Sequence, residues 1–377
     1  MLKHDTEIGY RPTWAEVNLD NLGYNFMQIR KIIKPEVKVM VVVKADAYGH
    51  GLMPIAERLQ SNAADYLGVA SIDEGIKLRN AGIHLPILVL GLILKKDIEP
   101  LFKYNLSVTV CNEELAEVLN MKARILRKAI KAHIKVDTGM GRIGVMHNEA
   151  LDFIRRIHKL KFLNIEGVFT HFAFADTNKD FTLAQIKLFQ NLINELRREK
   201  INIPLFHAAN SAGAINYPKG SFNMVRPGLV TYGLSPVARN LGIKIKPVLS
   251  LKTQVVYVKK VPAGFGISYG HTYVTKKNTA IAVLPIGYGD GYPRNLSNIA
   301  PVLIRGRRLK ISGRVCMDQI MVDVGDLPVK AGDEAVLIGT QKNNKITAEE
   351  LASLSGTIPY EIVCGLGSRI PRVYFSR

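Results

Sequence analysis

A lysine ends an otherwise apolar stretch in the segment VVVKADAYGHG, residues 41–51. If this stretch is a buried strand, a charged ammonium at its end would cost several kcal/mol unless the amine is neutral or bonded. Lys44 therefore has two interpretations. Either it reaches solvent at the edge of the fold, or it is a desolvated, unprotonated amine that can form a Schiff base with a carbonyl compound.

Reactive side chains also stand at the ends of other predicted strands. They are Lys135 with Asp137, His171, His207 with Ser211, and Arg226 followed by Gly228 and Leu229. In a barrel of parallel strands the carboxyl ends of the strands meet at one face, where active sites are built. A single His171 would more often be a core residue, but this convergence favours a catalytic face.

The elements up to about residue 240 would position these groups. Short β-rich runs alternate with amphipathic helical stretches, and the runs are Lys38–Lys44, Tyr66–Ala70, Ile87–Leu90, Ser107–Val110, His133–Asp137, Glu166–His171, Leu205–Ala208 and Met224–Arg226. This alternation predicts an N-terminal (β/α)8 barrel, whose usual size is about 250 residues. An open, doubly wound sheet is the competitor, but it would need a Gly-rich turn after its first strand, and the sequence has none there.

The sequence pattern changes near Pro247. Runs rich in β-branched residues, separated by Gly and Pro, predict a mostly β C-terminal domain: Val248–Val258, Thr279–Leu284, Pro301–Ile304, Gln319–Val324 and Glu334–Ile338. We expect the barrel domain to span residues 12–244 and the β-rich domain residues 245–377. The β-rich domain is expected to be joined by residues 1–11 or by the first predicted strand, Thr13–Leu19.

The composition narrows the possible partners. The 377-residue chain has a formal net charge of +19, but its basic residues are scattered without an aromatic-interleaved tract, so we expect no nucleic-acid partner. No apolar run reaches the ~20 residues of a membrane span, and the N-terminus lacks the apolar core of a secretory signal. Cys111, Cys316 and Cys364 form no CxxC pair, which argues against a disulfide framework or a metal site and for a cytoplasmic location.

Several sequence blocks together carry a family resemblance. They are VKADAYGHG (43–51), KVDTGMGR (135–142), NSA (210–212), RPG (226–228), SYG (268–270), PIGYGDG (285–291), CMD (316–318) and IPYE (358–361). The first is similar to the cofactor-lysine signature of alanine racemases, and the others follow in that family's order. No single block is decisive, but the resemblance spans nearly the whole chain.

The resemblance implies pyridoxal 5′-phosphate as the cofactor, carried covalently by Lys44. The phosphate would lie among Tyr48, Ser211, Tyr360 and the backbone N–H groups of Gly228 and Leu229. Hydroxyls, main-chain donors and a glycine that permits close approach suit a phosphate held without a large positive cage.

The resemblance also implies a two-base reaction. Racemisation removes a proton from one face of the α-carbon and adds one to the other, so Lys44 would serve one face and Tyr269 the other. Arg226 would face the pyridine nitrogen, and because guanidinium only donates, that nitrogen would stay unprotonated and the cofactor would be a weaker electron sink. A phenol with a reference pKa of ~10 must be tuned downward to act as a base, and His171, linked to Arg226, would be its neighbour.

Further residues receive supporting roles from the same resemblance. Arg142 and the backbone N–H of Met317 would bind the substrate carboxylate, while Tyr288 and Asp318 would support the site. Lys135 resembles a lysine found as a carbamate, formed with carbon dioxide, whose negative charge would pair with Arg142. The alternative is an ordinary lysine paired with an aspartate.

The implied function is the interconversion of L-alanine and D-alanine, which supplies D-alanine for bacterial peptidoglycan. Lys44 lies in the predicted barrel, whereas Tyr269 and Met317 lie in the predicted β domain. The resemblance therefore implies a homodimer in which each active site is built from both chains.

Alternative functions remain open at this stage. A racemase of serine or of a basic amino acid would share the same motifs, and the bulk of Tyr288 and Tyr360 favours a small side chain only weakly. A decarboxylase of basic amino acids would carry a catalytic cysteine and a Gly-rich phosphate loop in its C-terminal half. A non-catalytic pyridoxal-phosphate-binding protein would end near residue 240 and lack Tyr269.

Overall fold

The computed structural model describes residues 10–235 and 242–376 of the chain. Residues 1–9, which were expected to join the β-rich domain, lie outside the described residues. Strand β1 (Thr13–Asn18) comes first. It is followed by nine strands that share one sheet: β2 (Lys38–Val42), β3 (Tyr66–Val69), β4 (Ile87–Val89), β5 (Ser107–Val110), β6 (Ile130–Asp137), β7 (Val145–Met146), β8 (Leu163–Phe169), β9 (Leu205–His207) and β10 (Met224–Val225).

This sheet closes into the predicted barrel. Strand β10 pairs with both β9 and β2, and β5 pairs with β6, so no edge is left in the ring. All these pairings are parallel, and the short β7 lies outside the ring against β6. Within the described residues, eight parallel strands therefore enclose the barrel, as expected from the alternating sequence pattern.

Helices connect the barrel strands and cover them. They are α1 (Leu19–Ile32), α2 (Lys44–Gly49), α3 (Leu52–Ser61), α4 (Ile72–Asn80), α5 (Glu99–Lys103), α6 (Glu113–Ile125), α7 (Ala150–Ile157), α8 (Lys179–Arg198) and α9 (Ser211–Asn216), with 3-10 turns at Lys95–Asp97, Pro218–Ser221 and Leu229–Tyr232. Four of the longer helices begin with a capping side chain that accepts the backbone N–H of the residue three positions later. These caps are Asn18, Ser71, Asn112 and Asn178. Such caps satisfy backbone donors that a helix start leaves free, and they fix where each helix begins.

The barrel interior contains both apolar and polar side chains. Met40, Tyr66, Leu88, Leu205 and Met224 form an apolar cluster separate from the main core. In contrast, strands β6 and β8 bury the polar residues His133, Lys135 and Glu166. Buried polar groups need hydrogen-bond partners, so these two strands mark the part of the barrel where a polar network has to exist.

The C-terminal domain is mostly β. Its elements are β11 (Leu249–Gln254), β12 (Tyr257–Val261), β13 (Gly266–Ile267), β14 (Tyr273–Val274), β15 (Thr279–Leu284), β16 (Pro301–Ile304), β17 (Arg307–Lys310), β18 (Ile320–Gly325), β19 (Glu334–Gln341), β20 (Asn344–Ile346), β21 (Arg372–Phe375), α10 (Ala348–Ser355) and α11 (Pro359–Cys364), with 3-10 turns at Tyr269–His271, Tyr288–Asp290 and Arg294–Leu296. The largest sheet has the order β17-β16-β19-β11-β1-β21. Strand β1 pairs antiparallel with β11 and parallel with β21, so the N-terminal strand completes the sheet of the C-terminal domain.

The predicted β run Val248–Val258 forms parts of two strands, β11 and β12, rather than one continuous strand. The chain changes sheets after Gln254: β11 pairs with β1, whereas β12 pairs with β15 in a separate three-stranded sheet. At the change, the N–H of Val255 bonds to Asp333 O and the N–H of Val256 to Val283 O. A run of residues typical of strands therefore contains a switch of hydrogen-bonding partners. Separately, no helix among the described residues is long and apolar enough to cross a bilayer.

Candidate active site

Lys44 is carried to the barrel mouth by an unusual turn at the end of β2. The residues that follow it, Ala45–Tyr48, have φ values of 52 to 54°, so four non-glycine residues in a row are left-handed. Each such residue costs roughly 1–2 kcal/mol relative to right-handed backbone, so other contacts must hold the turn. Glu74 supplies one: its carboxylate accepts the N–H of Ala45 at 2.6 Å and the N–H of Ala70 at 2.7 Å.

The amine of Lys44 has a lowered pKa. Burial is the largest cause, and the positive charge of Arg142 adds to it, while Glu74 and Cys364 act in the opposite direction. The side chain is half-buried. A lowered pKa increases the fraction of neutral amine, which is the form that attacks a carbonyl carbon. The buried interpretation of Lys44 therefore fits this structure better than a lysine extended into solvent.

Arg226 lies just beyond β10 with its side chain buried and both of its Nη atoms hydrogen-bonded. Nη1 donates to Nδ1 of His207 at 2.7 Å. Nη2 donates to Thr170 O at 2.7 Å, and it lies within hydrogen-bond distance of Ala208 O at 3.1 Å and of Nδ1 of His171 at 3.2 Å. Burial lowers the pKa of Arg226 to about 9, which still leaves it protonated near neutrality. The bonds to His207 and His171 require acceptor nitrogens, so both Nδ1 atoms lack a proton.

A small neutral cradle lies next to this arginine. Oγ of Ser211 accepts the N–H of Gly228 at 3.0 Å and the N–H of Val230 at 3.4 Å. A Cβ on Gly228 would stand 2.6 Å from the hydroxyl oxygen of Tyr48, so only glycine leaves this space open. The ring of Tyr360, from the C-terminal domain, lies 6.4 Å from the ring of Tyr48. Leu229, predicted to belong to the same phosphate site, starts the 3-10 turn beside Gly228.

Lys135 is almost completely buried, with 1% of its surface exposed. Its amine lies 3.4 Å from Val136 O and 5.2 Å from the ring centre of Phe169. Its pKa is lowered to about 7, mainly by burial and then by the charge of Arg226. Asp137, the partner considered for it, instead accepts the backbone N–H groups of Gly139 and Met140 at 2.8 Å.

The remaining predicted residues line a groove in the C-terminal domain. This groove is lined by Ser268–His271 and Cys316–Gln319. Tyr269 is 72% exposed and Met317 53% exposed, and all lining residues come from the C-terminal domain. Within one chain, therefore, the structure gathers Lys44, Arg142, Lys135 and Arg226 around His171, whose pKa is lowered by burial and then by their charges. It places Tyr269 and Met317 on a separate, open surface.

The other two predicted supporting residues flank this groove. The N–H of Tyr288 bonds to Cys316 O at 3.0 Å, which ties its turn to the Cys316–Gln319 segment. The carboxylate of Asp318 pairs with Arg369 at 2.6 Å, and its backbone carbonyl accepts from Arg11 at 3.0 Å. Both residues hold the groove together. Tyr360, although it follows them in sequence, belongs to the barrel mouth of its own chain.

Comparison with known families gives a consistent result over both domains. Residues 17–236 match the model described as the alanine racemase N-terminal domain, and residues 248–374 match the alanine racemase C-terminal domain. The chain belongs to the alanine racemase family. This is a family of isomerases that act on amino acids.

Individual members of the family align with nearly the full chain. An alanine racemase of Halothermothrix orenii is 51% identical over 368 residues, covering 97% of each chain. One from Carboxydothermus hydrogenoformans is 47% identical, covering 97% of this chain and all of that one. Among solved structures, alanine racemase of Clostridium difficile superposes with a TM-score of 0.92 at 40% identity, covering 97% of this chain and 96% of that one. Alanine racemase of Bacillus anthracis with bound L-Ala-P superposes with a TM-score of 0.90 at 38% identity, covering 97% of this chain and 95% of that one.

Several residues that shape the site were not predicted from the sequence. Glu74 holds the turn that follows Lys44, but it occupies an ordinary position in the first turn of a surface helix. Nothing in the sequence indicates its role. His133 and Glu166 gave a weak one: each is a polar residue within an apolar barrel strand. The period-two series His133, Lys135 and Asp137 along β6 could have revealed a polar network, because buried strand positions seldom carry this many ionisable groups.

Proposed function

We propose that this chain interconverts L-alanine and D-alanine with pyridoxal 5′-phosphate as cofactor. The observation that carries the proposal is Lys44, a half-buried amine of lowered pKa at the mouth of the barrel, on which the charge of Arg142 acts. Lys44 and Arg226 also both act on His171. An amine with an increased neutral fraction, in a site that also holds guanidinium groups, suits an aldehyde cofactor and a carboxylate substrate. We further propose that it supplies D-alanine for peptidoglycan in the bacterial cytoplasm, a location that fits three free cysteines.

The residues at the mouth fit this cofactor. Ser211 accepts two backbone N–H groups and still has its own O–H to donate to a phosphate oxygen. The hydroxyls of Tyr48 and Tyr360 are further donors, and burial raises the pKa of both, so they keep their protons. Gly228 leaves the approach open, and Leu229 adds a backbone N–H. This is a phosphate cradle made from neutral donors.

When bound, pyridoxal phosphate withdraws electrons from the α-carbon of an attached amino acid and so acidifies its α-hydrogen. Arg226 would limit this effect. A guanidinium has donors only, and its bonds to His207, Thr170, Ala208 and His171 fix the direction of its remaining N–H groups. A ring nitrogen that faces Arg226 would receive a hydrogen bond but no proton.

Two bases would remove and return the α-proton. Nζ of Lys44 would exchange it on one face, and the hydroxyl of Tyr269 of the partner subunit on the other. The exposure of Tyr269 and a groove lined only by the C-terminal domain support a surface that meets a second chain. His171 would assist the phenol: its Nδ1 faces Arg226, so its Nε2 carries the proton and can donate to a phenolate. Arg142 and the N–H of Met317 of the partner subunit would bind the substrate carboxylate.

We propose that Lys135 is carbamylated. Carbon dioxide reacts with a neutral amine, and a pKa of about 7 makes much of this lysine neutral at physiological pH. An anionic carbamate would then find Arg226 and Arg142 nearby, the same charges that now disfavour an ammonium. The interpretation as a lysine paired with Asp137 has less support, because that carboxylate is occupied by backbone N–H groups.

The test is the absorption spectrum of the purified protein followed by an assay of D/L conversion against a panel of amino acids. We expect a pyridoxal absorption band and racemisation of alanine well above that of serine, lysine and arginine. Preference for serine or a basic amino acid would replace the substrate assignment. Cofactor binding without any racemisation would favour the non-catalytic alternative.

A further inference from the structure

A carboxylate is buried inside the barrel on the side away from the mouth. Glu166 lies in the middle of β8, and its two oxygens receive four donors. Oε1 accepts from Lys131 at 2.7 Å and from Tyr66 at 3.3 Å, while Oε2 accepts from Ser107 at 3.2 Å and lies 3.2 Å from Nε2 of His133. Burial would raise the pKa of Glu166, but the bonds from His133 and Lys131 outweigh it and lower the pKa to about 2. The carboxylate is therefore ionised at any working pH.

From Glu166 a line of hydrogen bonds runs to the mouth. Nδ1 of His133 lies 2.9 Å from Nε2 of His207, and Nδ1 of His207 lies 2.7 Å from Nη1 of Arg226. Both imidazole rings are completely buried, and burial is the main cause that lowers the pKa of each. Two neutral imidazoles thus join a permanent donor at one end to a permanent acceptor at the other.

The two ends leave one arrangement of protons. Arg226 can only donate, so Nδ1 of His207 is bare and its Nε2 carries the proton. That proton is donated to His133, whose Nδ1 must be bare in turn, and the proton on its Nε2 goes to Glu166. Every bond along the line donates in the same direction, from the guanidinium to the carboxylate. Aligned hydrogen bonds polarise one another in a low-dielectric interior.

Packing holds the rings in this line. A Cβ on Gly167 would stand 2.7 Å from Cε1 of His133, so the glycine makes room for that imidazole. The ring of Phe169 stacks on His207 at 4.8 Å, with 4° between the planes. Both rings therefore pack against strand β8.

We propose that Glu166 is a positioning residue for the reaction, acting through His133 and His207 to fix the orientation and to offset the charge of Arg226. The inference rests on the proposed function, because it concerns the group that faces the cofactor ring. Without the carboxylate, His207 would be a weaker acceptor, and the guanidinium would be less well held and would present more of its charge to the ring. Glu166 touches neither cofactor nor substrate in this scheme.

The test is a double-mutant cycle in the full-length enzyme with Glu166→Gln, His133→Leu and the double variant. Glu166→Gln keeps the size of the side chain and removes its charge. We expect kcat to fall about tenfold, a loss similar to that seen when a residue that orients a metal's protein ligand is removed. KM should change little, and the dissociation constant of pyridoxal phosphate should rise. Glu199→Gln is the matched control, since Glu199 pairs with Arg155 at the surface, and it should behave as wild type.

Coupling decides between positioning and general stability. His133→Leu breaks the line, so adding Glu166→Gln to it should change neither kcat nor cofactor affinity further. The proposal would be overturned if the effects of the two substitutions on kcat and cofactor affinity multiplied in the double variant. It would also be overturned if Glu166→Gln had the kcat and cofactor affinity of the wild type.

A measurement on the cofactor-free wild type covers the case in which His133→Leu does not fold. In ¹⁵N-histidine NMR, three of the nine histidines should be neutral with a bare Nδ1, namely His133, His171 and His207. The signals of His133 and His207 should shift in Glu166→Gln, and the opposite tautomer or a charged ring at either of these two would refute the proposal. If wild type neither binds pyridoxal phosphate nor racemises, the proposed function fails instead, while the tautomers still report on the hydrogen-bond line.

Discussion

Gly51 and Tyr374 are in such close contact that the structure leaves no room for a methyl group between them. A Cβ on Gly51 would overlap the hydroxyl oxygen of Tyr374 and stand 2.8 Å from the ring carbon that bears it. Gly51 also has a φ of +94°. The contact joins the end of the lysine turn to the last strand of the C-terminal domain, more than 300 positions away in sequence.

Gly51→Ala should therefore impair both folding stability and cofactor binding. The left-handed backbone alone costs about 1 kcal/mol for alanine, and the overlap with Tyr374 adds to this and displaces the turn that carries Lys44. Thermal unfolding of the cofactor-free protein and titration with pyridoxal phosphate would measure the two effects. Gly82→Ala is the control, because Gly82 has a φ of +78° but open space around it. Equal losses in the two variants would show that the contact with Tyr374 is unimportant.

Borohydride reduction should attach the pyridoxyl group to Lys44. Burial and the charge of Arg142 lower the pKa of its half-buried amine, which increases the neutral fraction that can attack the aldehyde. Peptide mapping after reduction would identify the labelled lysine. Lys44→Arg should lose both the label and more than about a thousandfold in racemisation, since it removes a covalent anchor and a base together. Labelling of another lysine in the wild type would contradict the assignment.

Lys135 should make the stability of the cofactor-free protein depend on pH in carbonate-free buffer. Its folded pKa of about 7 lies below the ordinary value of 10.5, so between these values the unfolded chain binds a proton that the folded chain does not. Unfolding free energy should consequently rise with pH from about 7 toward 10.5. Lys135→Met, which has a similar length and no charge, should reduce this slope. An identical slope in both proteins would show that the lysine is not held neutral.

Carbamylation of the same residue can be observed directly. With ¹³C-bicarbonate, the wild type should give a carbamate resonance that Lys135→Met lacks. Lys131→Met serves as the matched control, because Lys131 lies on the same strand with its amine half-exposed and paired with Glu166. A resonance that survives in Lys135→Met would assign the carbamate elsewhere.

The two-chain site can be tested by complementation. Lys44→Ala and Tyr269→Phe homodimers should each be nearly inactive. After joint unfolding and refolding, about half of the dimers are mixed under random pairing, and each mixed dimer has one intact site, so roughly a quarter of wild-type activity should return. A different affinity tag on each variant, with purification over both tags in turn, should show that mixed dimers form. Mixed dimers without activity would mean that Tyr269 acts within its own chain.

Much of the fold was predictable because local pattern and long-range structure agree. Thr279–Leu284 and Pro301–Ile304 were predicted with the observed bounds, since runs of β-branched residues ended by turn residues favour strands wherever they lie. The division of the run Val248–Val258 into two strands could not be predicted. The change of partner after Gln254 depends on Asp333 and Val283, which are distant in sequence.

The site divides in the same way. The lysine, arginine and tyrosine of the motifs can be identified from the sequence alone. The left-handed turn at Ala45–Tyr48 cannot, because it contains no glycine that would indicate a positive φ. That turn exists because Glu74 and the C-terminal strand hold it. The line from Arg226 to Glu166 was missed for a similar reason: it is formed by the closure of the barrel, which brings β6, β8 and β9 together.

The left-handed turn has a consequence for the handedness of its own residues. A φ near +50° is the mirror image of ordinary helical backbone, so Ala45 and Ala47 hold a shape that their mirror-image amino acid would adopt without strain. A semisynthetic chain with D-alanine at position 45, where the side chain is exposed, would relax the turn rather than distort it. The segment that presents the proposed catalytic lysine is thus built in the conformation natural to the proposed product of the reaction.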